Sequence, residues 1–215
     1  MQETPLIYPF AYIFVIFFLT LGPLKVIPVF NRLCYKAPPS FAKKLALKAT
    51  IISSIIIFAV AIVGKGILSK WQVSTAALFV AGGLLILISS LQMLSNFTLP
   101  KPLPPDTEAY TEEQIPALAI NPLTIPAIIT PYGIVAILVS TSQSEGDIKR
   151  QLTIFVLLFL VIILNWIGMT FAKIIVQKVN IITLLIVGWV FAVLQAGLAI
   201  DLMIEGLKRA KIAIL

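Results

Sequence analysis

The chain has no histidine and a single cysteine, Cys34, among 215 residues. Without histidine there is no imidazole to serve as base for a serine or cysteine nucleophile, and none to bind a metal. One thiol excludes an intramolecular disulfide and any zinc site built on cysteines. Charge is scarce as well. Asp, Glu, Lys and Arg make up 12% of the chain, against about 25% in a soluble domain. Too few ionised groups remain to wet the surface of a soluble globule. A Gly-x-x-x-x-Gly-Lys-Ser/Thr loop is missing. Asp201 and Glu205 do not make two separated aspartates facing one site. No enzymatic activity is expected.

What the sequence has in abundance is apolar surface. AVILMFWYC residues make up 60% of it, with a mean hydropathy of +1.06. That excludes disorder and leaves a polytopic membrane protein. A helix crossing about 30 Å of hydrocarbon needs about 20 apolar residues. Six stretches meet that length: about Leu6 to Leu24 with room to continue to Phe30, Ala46–Leu68, Thr75–Leu94, Ala117–Ser140, Leu152–Val176 and Ile182–Ile204. The runs are continuous, whereas barrel strands alternate, so the fold class is all-α. The N-terminal MQETPLIYPF lacks a basic region, so the first span is read as retained.

One connector is long. The segment SNFTLPKPLPPDTEAYTEEQIP carries Pro100, Pro102, Pro104 and Pro105, which forbid a continuous helix, and Asp106, Glu108, Glu112 and Glu113. It reads as an acidic, proline-rich loop (96–114) between halves 1–95 and 115–215 of one transmembrane domain. Lys and Arg number 16 against 9 acids. The bases lie between apolar runs, which points to anionic lipid on the inner leaflet and away from nucleic acid. The first connector holds Arg32, Lys36, Lys43, Lys44 and Lys48. By the positive-inside rule it is cytoplasmic, which places both termini outside the cell membrane.

The halves echo each other. Span 1 ends in Gly22-Pro23-Leu24-Lys25-Val26-Ile27-Pro28, and span 4 opens with Asn121-Pro122-Leu123-Thr124-Ile125-Pro126. Three spans plus three spans place the halves in opposite orientation, the inverted-repeat plan of many transporters. Each proline removes a backbone N–H and frees a carbonyl one turn back. In hydrocarbon such groups must be covered by protein or line a wet cavity. Broken helices 1 and 4 therefore mark a candidate site. It comprises Pro23, Lys25 and Pro28 from the first, and Asn121, Pro122, Thr124, Pro126, Thr130, Tyr132 and Gly133 from the second. Helix N-termini there favour a carboxylate, and free carbonyls favour an ammonium. Kinks that only pack helices are the alternative. Asn165, Gln195, Ser89 and Gln92 read as amides and hydroxyls that glue helices together, with substrate contact as the alternative.

At these residues the sequence resembles the MarC family of six-span bacterial inner-membrane proteins. That family includes SnatA-type small neutral amino acid transporters and is grouped with LysE-type exporters. Pro23, Leu24, Ile27, Pro28, Val29 and Phe30 match its first motif, and Pro122, Leu123, Ile125 and Pro126 match its second. Gly22 stands in place of the family's acid, Lys25 in place of a glycine, and Thr130-Pro131-Tyr132-Gly133 in place of Gly-Pro-Gly. The resemblance implies alternating-access transport of a small neutral amino acid or related metabolite. No cofactor is expected; coupling to Na⁺ or H⁺ and assembly of identical chains stay open. The other classes are a structural or accessory membrane protein and a passive pore.

Overall fold

The computed structural model describes residues 9–95, 111–144, 146–179 and 181–212, and among them no strand occurs. Helix is the form that satisfies every backbone group within its own segment, as a bilayer demands. The elements are α1 (Phe10–Leu21), α2 (Pro23–Leu33), α3 (Pro39–Lys70), α4 (Thr75–Ser95), α5 (Ile115–Leu118), a wide irregular winding over Ala119–Ile128, α6 (Pro131–Ser142), α7 (Ile148–Thr170), α8 (Ala172–Lys178) and α9 (Ile181–Ile212). Five helical segments among the described residues are long and apolar enough to cross a membrane. A sixth is the pair Glu112–Ile128 and Pro131–Ser142, bent by 62°.

Local chemistry sets the boundaries. Pro23, Pro39 and Pro131 each occupy the first turn of a helix, where the missing N–H costs nothing. Asp147 caps α7 by accepting the Arg150 amide at 3.1 Å, and Thr130 caps α6 by accepting the Gly133 amide at 3.0 Å. Spans 2 and 6 are longer than the sequence expectation, at 32 residues each. Hydropathy stops at Lys43, Lys44 and Lys48 on one and at Glu205 and Lys208 on the other, but helix propensity does not. Span 5 is shorter than expected: α7 ends at Thr170, and the expected continuation to Val176 is the separate α8. Leu6 and the loop residues Pro100, Lys101, Pro102, Pro104, Pro105, Asp106 and Glu108 lie outside the described residues.

Two packed groups make up the interior. Phe17, Val26, Leu45, Ile57, Leu123, Ile128, Ile154 and Leu158 join α1, α2, α3, the winding and α7. Phe79, Ile86, Tyr132, Val135, Val139 and Leu202 join α4, α6 and α9. Helices α4 and α9 run antiparallel at close range: Gly83 meets Ala199 and Met203, while Gly206 meets Ala76 and Val80. A Cβ on Gly83 would stand 2.5 Å from the Ala199 carbonyl oxygen, so glycine is what permits this approach. The acidic stretch before span 4 is tied to the first connector's helix by a Lys44–Glu112 ion pair. That places the two segments on one face of the molecule.

Candidate functional site

Span 1 breaks at Gly22. Its backbone is extended there (φ −80°, ψ 174°), and a Cβ would collide with the Phe18 carbonyl oxygen. The break frees the last carbonyls of α1, and side chains from three other segments take them up. Gln195 on α9 donates to Leu19 O at 2.5 Å. Thr130 donates to Thr20 O at 3.2 Å. Asn165 on α7 donates to Leu21 O at 2.7 Å. Asn165 and Gln195 therefore act as glue between helices. Their own oxygens, Asn165 Oδ1 and Gln195 Oε1, are buried without a hydrogen-bond partner. Such an orphan costs about 1–3 kcal/mol, so it is the donor end that each amide is kept for.

Span 4 breaks twice. Asn121 and Ile125 each precede a proline and take extended angles, as the proline ring demands of its predecessor; both X–Pro peptides are cis. Past this winding the Ile129 amide donates to Thr124 O at 2.7 Å, and the chain turns through Thr130 into α6. The Cβ that Gly133 lacks would overlap the Leu21 side chain. The first turn of α6 is thus packed directly on the break of span 1.

A cleft of about 460 Å³ adjoins this meeting of breaks. Lys25, Pro122, Pro126, Thr130 and Tyr132 line it. The other five sequence candidates do not. Pro23 is buried against Gly168 of α7, and Pro28 and Asn121 are exposed. Thr124 is fully buried, its hydroxyl 3.4 Å from Ala49 O on α3. Gly133 supports the turn behind the cleft. Val29, Leu85, Ile88, Ala127 and Pro131, which are not among the ten sequence candidates, line the cleft as well, and so do Ser89 and Gln92, for which substrate contact is the alternative to glue. Leu85, Ile88, Ser89 and Gln92 recur every three or four residues and form one stripe of α4, which is the signal that marks them as a shared wall.

Lys25 carries the charge of the site. It is half-buried and does not reach toward the connector. Its ammonium folds back to donate to Thr20 O at 3.0 Å and to the Tyr132 hydroxyl, 4.3 Å from the centroid of that ring. Ser89 and Thr130 line the cleft along with the same phenol. Among the described residues lining the cleft there is no Asp or Glu. A charged side chain inside a span is costly and marks a functional position by default. No group of metal-binding side chains occurs among the described residues.

The chain is similar to known proteins over most of its length. The family model for MarC family integral membrane proteins matches residues 7–211. A UPF0056 membrane protein of Archaeoglobus fulgidus is 28% identical over 201 residues, covering 91% of either chain. Another, from Methanocaldococcus jannaschii, is 26% identical over 172 residues, 80% of this chain and 75% of that one. The UPF0056 membrane protein YvbG of Bacillus subtilis is 26% identical over 194 residues, 87% of this chain and 90% of its own. No solved structure matches.

Proposed function

The chain belongs to the MarC family of integral membrane proteins, and from that premise we propose that it is a transporter of small solutes working by alternating access. Small neutral amino acids or related metabolites are the substrate class that the family likeness suggests. In this proposal two inverted three-helix halves rock about the site, with the protein in the cell membrane and both termini outside. The observation that carries it is the meeting of two broken helices beside a cleft that holds a lysine. Broken spans that abut a cavity are how transporters build a site at mid-membrane. The antiparallel course of α4 and α9, third helices of the two halves, supports the same plan.

A second reading has its own observation. Every carbonyl freed at residues 19–21 is taken by a side chain of the protein, as a kink that only packs helices requires. A structural or accessory role needs nothing further. Reconstitution into liposomes separates these readings and a passive pore. Uptake of labelled small solutes, amino acids and monocarboxylates both included, with and without Na⁺ or a pH gradient, should saturate and should accelerate when unlabelled solute is trapped inside. Linear flux without counterflow indicates a pore, and no flux beyond that of protein-free liposomes indicates the structural role.

A further inference from the structure

We propose that the cleft selects solutes of net negative charge, small monocarboxylates with a short apolar body, and that Lys25 is their fixed counter-charge. The inference rests on the transport reading and sets monocarboxylates in place of amino acids as its substrate class.

A zwitterion needs two opposite partners, and only one is on offer here. The positive partner is Lys25. An ammonium has three donors, and Lys25 spends two, on Thr20 O and the Tyr132 hydroxyl. The third remains for a ligand. The first turns of α2 and α6 add to it: Lys25 and Tyr132 sit in those turns, where helix dipoles present their positive ends. The negative partner is missing. No carboxylate lines the cleft among the described residues. The carbonyls freed at the break of span 1 are engaged already, Leu19 O by Gln195, Thr20 O by Thr130 and Lys25, and Leu21 O by Asn165, and in the winding Thr124 O takes the Ile129 amide. A bound amino acid would find only neutral oxygens for its ammonium, among Val29, Leu85, Ile88 and proline rings, so its charge would be desolvated without an opposite charge to meet it. The same apolar wall suits the short carbon chain of a carboxylate. Ser89 and Gln92 add polar atoms to that wall.

Pyruvate and alanine make the test, because they share a three-carbon carboxylate and differ in an oxo group against an ammonium. Binding is read on the purified protein as a rise in melting temperature with each solute, since a ligand of the folded state stabilises it by mass action. Transport is read as saturable uptake into proteoliposomes. Pyruvate should raise the melting temperature and alanine should not, and pyruvate uptake should exceed alanine uptake about 10-fold or more. Lys25→Met should weaken pyruvate binding about 10- to 100-fold, with Lys25→Arg retaining part of it. An equal or larger response to alanine overturns the inference and leaves the transport reading intact. Pyruvate binding that Lys25→Met leaves unchanged also overturns it. Lys25-dependent binding of pyruvate with no saturable flux of either solute upholds the site and overturns transport. No binding and no flux overturns both.

Discussion

Thr130 has two duties at the break of span 4. Its oxygen accepts the Gly133 amide to cap α6, and its hydroxyl donates to Thr20 O of span 1. Thr130→Val keeps the shape and loses both, so the detergent-purified protein should be less stable by about 1–3 kcal/mol. Thr130→Ser should recover most of that, and thermal unfolding followed by circular dichroism checks it. Legibility at this scale follows the same division. Lys25, Thr130 and Tyr132 could be picked out because polar groups among clustered prolines stand out in any apolar run. Thr124 and Asn121 were drawn in by the same rule. The winding they sit in is interrupted by extended residues at Asn121 and Ile125, and no single periodicity tells which way its side chains point. Thr124 ends against α3 and Asn121 at the surface. Ser89 and Gln92 belong to the cleft only because α4, packed on α6 and α9, faces α2 and the winding across it, a tertiary fact that the α4 sequence does not contain.

Elements tell a different story about legibility. α4 is observed over Thr75–Ser95, one residue beyond the span read from hydropathy. The 32-residue α3 and α9 overrun their expected spans. At 1.5 Å per residue each is about 48 Å long, well beyond the roughly 30 Å of hydrocarbon. Hydropathy measures the apolar part; the helix continues past it, where the largely buried Glu205 accepts from Arg209 at 2.8 Å one turn on. Close packing of α4 on α9 rests on Gly83 and can be tested there. Gly83→Ala places a methyl against the backbone of Ala199 and Met203, which cannot yield without moving α9. The expected loss is about 1–3 kcal/mol, read as a lower melting temperature. Gly66→Ala on α3 is the control: nothing stands within 4 Å of the added methyl, and helix propensity favours alanine by about 1 kcal/mol. Equal effects at both glycines would mean that α4 and α9 do not depend on this contact.

For the molecule as a whole, the question is which face the cleft serves. Its lining comes from α2, the winding before α6, the first turn of α6 and the C-terminal half of α4, with α2 and the end of α4 leading to the side of the first connector. A second recess, of about 300 Å³, lies near Thr141, Ser144 and Gln151, about 14 Å from Tyr132 along α6. The buried Val135, Ala136, Ile137 and Val139 fill α6 between the two. A cleft on one side, a recess on the other and a packed barrier between them fit one state of an alternating-access cycle. Sidedness can be measured with thiols because Cys34 is nearly silent. Burial pushes its thiol up to about 12, and only the thiolate reacts. Maleimide labelling of the unaltered chain should therefore be slow at neutral pH and should rise about tenfold per pH unit as alkali generates thiolate. Against that background, Lys36→Cys reports the first connector and Trp71→Cys the turn after α3; both positions are exposed. With the basic connector in the cytoplasm, an impermeant maleimide added outside intact cells should label Trp71→Cys and reach Lys36→Cys only after lysis. The opposite pattern would turn the cleft outward, so that the state with Lys25 in an open cleft would take up its solute from outside the cell instead of from the cytoplasm.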